Sequence, residues 1–390
     1  MQQSLGEGLA LRANADDFLI FRDHVGGLEY VRSSRRIRDE GLFVELAAYK
    51  YNVLLDFREV PDADDRRYAR LEAYLEGRGV PSIDEALREI VLQPLHGRFE
   101  ALLAPALLRA LAAPPTAATA APPTPATAAP PMAAPAAPSP PATAQRCLEE
   151  LCADIRSFTE TPGDDAPLIA EITHELDAWS GMLARDAASG TGSDTSAGAA
   201  FRALRAGLEA EPARRAPALA WILLHRLGRL REPELWDQQT RSWLDEWRVG
   251  PILEATLREL GQDERAAAWS TTIVKLLVSH QRWHEQGGEG RTVRLLETLL
   301  ADGETQRMLR LNRHQGVLWF NRESFEQLLW WLLLVAAVQI LADVRLEPDA
   351  ASRALAGAFE VYRRSLEAAA RSGYQVEQLL AKARKEETAT

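Results

Sequence analysis

The chain has 390 residues, of which 46% are hydrophobic and 26% charged, and its formal net charge is −11. This length and composition suit a soluble protein with two or three domains, each with its own core. The negative charge disfavours binding to nucleic acids and to anionic membranes, because both present phosphate groups.

The first sixty residues predict β-strands. In "DDFLIFRDHVGGLEYVRSS" two strand-like runs flank Gly26-Gly27, which is a turn signal. In "EGLFVELAAYKYNVLLDFREV", residues 40–60, the apolar residues alternate on one parity over 42–46 and on the other over 49–57. This predicts a strand pair with a turn or bulge near 47–48. Two strands alone are marginal in water, so their partner strands precede them or are missing.

From residue 62 the apolar pattern becomes helical. Ser82 and Glu85 are predicted to form a capping box at the start of "PSIDEALREIVLQPLHGRFEALL". We therefore predict short helices over residues 61–111, packed on a partial β-sandwich-like sheet over residues 1–60.

A proline- and alanine-rich segment follows, over residues 112–145. It contains eleven of the 22 prolines and no charged residue. Such a composition cannot bury a core and behaves as an extended spacer. We predict a disordered linker that divides the chain in two.

Residues 146–390 predict only helices, arranged as an irregular all-α bundle. Trp236, Trp243 and Trp247 fall on a stripe roughly 40° wide on a helix, which predicts core packing. The longest apolar run, residues 328–341, would span about 21 Å as a helix and is shorter than a bilayer core. It is predicted to be a buried central helix. The fold class is therefore mainly α, with a small N-terminal antiparallel sheet remnant.

Several phrases resemble the region after the catalytic barrel in large bacterial α-amylase-family glycoside hydrolases. The first is residues 5–60, beginning "LGEGLALRANADDFLIFRDHVGGLEYVRSS", followed by "YARLEAYLEGRGVPSIDEALREIVLQPLH". The later ones are "RSWLDEWRVG", "VKLLVSHQRWHE", "RLNRHQGVLWFNRESFEQLLWWLLLVAAV" and "SGYQVEQLLAKAR". The resemblance implies that the strand pair is the end of a β-sandwich whose earlier strands and barrel are absent from this chain.

No catalytic motif accompanies that resemblance. The family's aspartate followed by Asn-His, its Gly-x-Arg-x-Asp and its His-Asp pair are all absent, and "SRRIRD" lacks the glycine. The chain is also too poor in strands to form a (β/α)₈ barrel. We therefore predict no catalytic residue, and the chain alone is not expected to be an enzyme.

Other candidate motifs also predict structural roles. His280 and His284 lie one helical turn apart, but a third zinc ligand is not evident. His174 and His225 have no partners nearby in sequence, and the two cysteines, Cys147 and Cys152, are expected to be reduced core residues. "GGEGR", residues 287–291, lacks the strand and lysine of a phosphate loop and predicts a connector. We therefore predict no metal and no cofactor.

All ten tryptophans follow residue 178. Exposed aromatic rings can stack on sugars, but the stripe spacing favours core packing. Glucan stacking stays open as an alternative for individual tryptophans.

Two functions remain open. The first is a non-catalytic C-terminal part of an α-amylase-like protein of starch or glycogen metabolism, which supports the barrel, mediates assembly or binds glucan. The second is a stand-alone helical protein-interaction scaffold. The expected partners are a catalytic barrel of the same or a companion protein and, as a second candidate, α-glucan.

The amino terminus has no basic region followed by an apolar run, so no signal peptide is predicted and a cytoplasmic location is expected. A large exposed apolar patch near the strands would favour the first function, and a fully covered sheet the second.

Overall fold

The computed structural model describes residues 3–12, 14–44, 49–62, 66–113, 139–184, 196–285 and 287–387. The protein is 69% helical with a small N-terminal antiparallel sheet, so the predicted fold class is confirmed. The chain forms two compact units, Met1–Leu95 and His96–Thr390.

The first unit is built on a three-stranded antiparallel sheet. Its strands β1 (Asp17–Asp23), β2 (Leu28–Ser33) and β3 (Leu54–Pro61) lie in the order β2-β1-β3. The predicted Gly-Gly turn joins β1 to β2, and Gly27 there has φ of +68°, a conformation that favours glycine. The partner strands of the 40–60 stretch therefore do precede it in the chain.

Helices pack on both faces of this sheet, because alternate residues of β1 point in opposite directions. The helices are α1 (Leu5–Gly8), α2 (Ser34–Glu40), α3 (Arg67–Leu75) and α4 (Ile83–Leu102). On one face the buried core consists of Phe18, Ile20, Val31, Tyr68, Leu71, Leu75, Ile83, Leu87 and Ile90. On the other face it consists of Leu11, Leu19, Phe21 and Ile37. At the start of α4, Ser82 Oγ accepts a hydrogen bond from the Glu85 N–H at 3.3 Å, which is one of the two hydrogen bonds of the predicted capping box.

Of the strand pair predicted within residues 40–60, the described residues contain only the second strand. Residues 41–44 and 49–53 lie outside any strand. Strand β3 pairs with β1 and not with residues 41–44, which precede it directly in the predicted pair. The alternating pattern indicates that a segment can be a strand, but it does not specify the partner, and β1 offers a free edge. A register shift does occur in the β1–β3 ladder, at Asp56, whose φ is +58°. The predicted turn or bulge near Ala47 and Ala48 lies outside the described residues.

The second unit is a bundle of helices that begins within α4. Its further helices are α5 (Pro105–Ala112), α6 (Pro140–Thr159), α7 (Ala166–Ala184), α8 (Ser196–Ala210), α9 (Arg215–Leu224), α10 (Trp236–Glu246), α11 (Val249–Glu259), α12 (Glu264–His280), α13 (Arg291–Ala301), α14 (Gly303–Met308), α15 (Arg322–Ala342), α16 (Pro348–Arg371) and α17 (Val376–Glu387). Helix α15 is buried along most of its length, as predicted for a central helix. Among the described helices it alone is long and apolar enough to cross a membrane, and 78% of its most apolar stretch is buried within the protein.

The division between the units differs from the predicted one. The sequence places it in the segment 112–145, whereas the compact units divide between Leu95 and His96, inside α4. Helix α5 belongs to the second unit because its apolar face, Leu107, Leu108 and Leu111, is buried there. Helix α6 begins at Pro140, so residues 140–145 are helical and not linker; proline is compatible with a first helical turn.

A second small sheet interrupts the region that was predicted to be all helix. Strands β4 (Asn312–His314) and β5 (Val317–Trp319) form an antiparallel hairpin. Its two-residue turn, Gln315-Gly316, has positive φ at both positions (50° and 81°), which is the geometry of a type I′ hairpin turn.

Candidate functional site

The first unit exposes a run of large apolar side chains between α2 and β3 and at the start of β3. Phe43 is 86% exposed, and Tyr49 is fully exposed. We call the set the aromatic edge: Phe43, Val44, Tyr49, Tyr51, Val53 and Leu55. Soluble proteins rarely leave so many large apolar residues in water within one stretch, and such surfaces mark interaction sites.

The aromatic edge leads into β3, which lies at the side of the sheet. Among the described residues β3 pairs only with β1, so its other edge has no strand partner. Open edges can accept a further strand, but Pro61 removes a backbone donor and the left-handed Asp56 interrupts the ladder. A partner is therefore expected to contact the side chains of the aromatic edge more than the backbone of β3.

Tyr49 adds a local feature to the aromatic edge. Its φ of +64° lies in the left-handed region, which a bulky residue seldom adopts. Such backbone conformations cluster at sites where the chain makes functional contacts. Lys50, which follows it, is exposed and is the one lysine among residues 1–95.

The second unit contains a polar cluster that sequence reasoning missed. Glu175 of α7 and His225, just after α9, are fully buried, and His225 Nε2 lies 2.6 Å from Glu175 Oε2. Arg226 Nε and Nη2 donate to Glu175 Oε1 at 2.9 and 2.7 Å. The imidazole of His225 stacks on Trp221 with ring centroids 4.0 Å apart, and its Nδ1 lies 2.5 Å from Gln281 Oε1. We call Glu175, His225, Arg226 and Gln281 the buried polar cluster.

Charge and burial oppose each other in the buried polar cluster. Burial by itself raises the pKa of Glu175, but the charges and hydrogen bonds of His225 and Arg226 outweigh it, so the pKa lies below its ordinary value. Burial lowers the pKa of His225, against the opposing effect of the Glu175 carboxylate. A Glu–His pair can in principle transfer protons, but neither side chain of this pair is exposed to solvent. The cluster is therefore part of the core, in line with the structural role predicted for His225, although the partners of His225 lie 50 and 56 residues away.

The two histidines that resemble zinc ligands have separate partners. His280 Nε2 lies 3.3 Å from Asp302 Oδ2, and that contact is the main reason why the pKa of Asp302 is lowered. His284 Nε2 lies 2.7 Å from Gln339 Oε1, and burial lowers the pKa of His284. Within the described ranges no three His, Cys, Asp or Glu side chains come together in a way that could hold a metal ion.

The remaining candidate residues lie in a connector, in the core or half-buried on helices. In the glycine-rich loop, Arg294 donates to the carbonyl oxygen of Gly287 at 2.9 Å, and Glu387 Oε1 accepts from the Thr292 N–H at 2.8 Å. The amino terminus of α13 is thus capped by a carboxylate of this chain. Cys152 is buried, as predicted, whereas Cys147 is only half-buried and not a core residue. Burial raises the pKa of Cys152 to about 12 and also raises that of Cys147, which disfavours the reactive thiolate form. His174 lies half-buried in α7.

The tryptophan stripe packs in the core, as predicted. Trp243 and Trp247 stack with ring centroids 4.5 Å apart. Seven of the ten tryptophans are at most 5% exposed: Trp179, Trp221, Trp236, Trp243, Trp247, Trp330 and Trp331. Trp269 and Trp283 are half-buried, and Trp319 on β5 is 37% exposed.

Comparison with known proteins places the chain in no family. No protein-family model matches it, and neither the curated proteins nor the solved structures contain a match.

Proposed function

We propose that this chain is the C-terminal part of an α-amylase-like protein of α-glucan metabolism and that it supports the catalytic barrel. The observation that carries the proposal is the aromatic edge, with Phe43 86% and Tyr51 69% exposed beside an open strand edge. The identity of the partner comes from the resemblance of residues 5–60 and of the later helical phrases to that protein group. The barrel belongs either to the same polypeptide or to a companion protein.

The aromatic edge is large enough to support a stable contact. A buried aromatic side chain contributes about 150–250 Å² of surface. Phe43, Tyr49 and Tyr51 together can therefore contribute roughly 500 Å², and the three aliphatic members add to it. The summed area of the six side chains approaches the roughly 800 Å² that each partner buries in a standard protein–protein interface.

One observation favours the second candidate, a stand-alone interaction scaffold. Helices already pack on both faces of the sheet, with Leu71 buried on one side and Ile37 on the other. A partner would then need to cover only the aromatic edge, and any protein with a complementary apolar surface could do so. The two candidates differ in what binds at that edge.

Cross-linking at Lys50 tests which partner binds. The chain has four lysines, Lys50, Lys275, Lys382 and Lys385, and only Lys50 lies in the first unit. An amine-reactive cross-linker applied to the native protein in its source cells is expected to join Lys50 to peptides of an α-amylase-type barrel or its sandwich. The reason is that Lys50 lies between two exposed tyrosines of the proposed interface.

Two controls make this result specific. Lys50→Arg keeps the charge and should abolish the Lys50 cross-links while those from Lys382 and Lys385 persist. Replacing Tyr49 and Tyr51 by serine should reduce the Lys50 cross-links severalfold, because the apolar contact is lost. Cross-links from Lys50 exclusively to proteins without such a barrel would refute the proposal and support the scaffold.

A further inference from the structure

The β4–β5 hairpin of the second unit carries an aromatic ring between two carboxamides. Asn312 directly faces Trp319 in the hairpin, and Trp319 forms an antiparallel bridge with Gln375 on its other side. Residues that face each other directly in paired strands project from the same face, about 5 Å apart. Asn312, Trp319 and Gln375 therefore form one row across the face, which we call the hairpin row.

The members of the hairpin row are available to a ligand. Trp319 is 37% exposed and is the most exposed tryptophan of this chain. The side chains of Asn312 and Gln375 make no hydrogen bond to the described part of the protein. The row thus offers an apolar ring face and two groups that can both donate and accept hydrogen bonds.

The backbone holds this row in place. The Phe320 N–H donates to the Tyr374 carbonyl oxygen at 3.0 Å, and the Asn321 N–H donates to that of Leu309 at 2.8 Å. The Phe320 ring is buried, with its centroid 4.9 Å from that of Phe325. A ligand therefore meets a preformed surface and does not have to order a loop, which favours binding.

The chemistry of the hairpin row points to a neutral ligand. Its three side chains are uncharged, and Arg313 faces Leu318, so the arginine projects from the opposite face of the hairpin. A pyranose ring presents an apolar C–H face to an indole and hydroxyl groups to the flanking amides. His314, two residues along the same face from Asn312, adds a further hydrogen-bonding group.

We propose that the hairpin row binds a glucosyl unit of an α-glucan, with the sugar stacked on Trp319 and its hydroxyls bonded to Asn312 and Gln375. The sugar class follows from the row, and the choice of glucose rests on the proposed function. The row lies in the second unit, far along the chain from the aromatic edge, so the two proposals can fail separately.

Titration of the full chain with maltoheptaose tests this site. Wild-type protein should bind, and Trp319→Ala should weaken binding roughly tenfold, as expected for the loss of a stacking contact. Asn312→Ala combined with Gln375→Ala should also weaken binding, and the change removes no side-chain hydrogen bond within the described part of the protein. Val344→Ala removes an apolar side chain of the second unit that is more exposed (74%) than Trp319 (37%), and this variant should leave binding unchanged.

Iodide quenching gives an independent signal from the same ring. Maltoheptaose should protect a quenchable fraction of the tryptophan fluorescence, and Trp319→Phe should remove that fraction while binding persists. Absence of binding to maltoheptaose and to glycogen, or equal affinity of wild type and Trp319→Ala, would overturn the inference. Binding of inorganic phosphate in place of the glucan would do the same. The Lys50 cross-links are unaffected by either result, so they still decide the proposed function.

Discussion

Glu175→Ala is expected to lower the free energy of unfolding of the second unit by about 3–5 kcal/mol, because it leaves His225 and Arg226 without their buried anionic partner. The Glu175 side chain is fully buried and contacts both residues, with oxygen–nitrogen distances of 2.6 and 2.7 Å. Urea unfolding followed by far-UV circular dichroism measures the change. This variant therefore tests how much the buried polar cluster contributes to the stability of the second unit.

Glu171→Ala is the matched control, since Glu171 lies one turn earlier in the same helix and accepts from the same arginine. Its side chain is 41% exposed, and Arg226 Nη1 lies 2.8 Å from its Oε2. An exposed ion pair of this kind contributes about 1 kcal/mol or less. Equal losses in the two variants would contradict the role assigned to the buried polar cluster.

The pH dependence of stability provides a second measurement on Glu175. Because its folded-state pKa lies below the ordinary value of 4.5, its contribution is fully present above pH 4.5 and is lost as the pH falls through the folded-state pKa. The difference in unfolding free energy between wild type and Glu175→Gln should therefore be constant near neutral pH and shrink in acid. A difference that grows as the pH falls would contradict the direction of the pKa shift.

Gly228→Ala is expected to destabilise the second unit by about 3 kcal/mol through overpacking. A Cβ atom at Gly228 would lie 2.1 Å from the Trp236 carbonyl oxygen and 2.5 Å from the Thr240 backbone nitrogen. Both are backbone atoms of α10, so they cannot move as a flexible side chain could. The same approach lets the Gly228 N–H donate to Thr240 Oγ1 at 2.8 Å, and the Thr240 hydroxyl donates to the His225 carbonyl oxygen at 3.0 Å.

Gly181→Ala provides the control of opposite sign. Gly181 lies in α7, and a Cβ added there meets no atom within 4 Å. Alanine favours a helix over glycine by about 1 kcal/mol, so this variant should be slightly more stable than wild type. Thermal unfolding measures both variants. Similar changes in melting temperature for the two substitutions would contradict the claim that the close approach of α10 requires glycine at position 228.

Local patterns were sufficient for much of the fold. The Gly-Gly signal at 26–27 correctly predicts the β1–β2 hairpin, and the spacing of Trp236, Trp243 and Trp247 correctly predicts burial of all three. These signals depend on residues within a few turns or strand positions of each other. The segment 42–46 has an equally good alternating pattern, but residues 42–44 form no strand, because strand formation requires a partner that the pattern does not specify.

The candidate sites depended on contacts that are distant in sequence. The sequence predicted a structural role for His225, but its partners Glu175 and Gln281 could not be identified from sequence spacing. The hairpin row joins Trp319 to Gln375 across two entire helices, α15 and α16. The hairpin itself was missed because its strands have three residues each, too few for a period-2 signal, although Gln315-Gly316 is compatible with its turn.

The measurement that tests the central proposal most directly is the intact mass of the native protein from its source cells, with the sequence of its amino-terminal peptide. The proposal predicts a polypeptide or a stable complex well above the 43.1 kDa of this chain, with peptides from an α-amylase-type barrel. A native species of 43.1 kDa without a barrel-bearing partner would contradict it, and the aromatic edge would then belong to a stand-alone interaction scaffold.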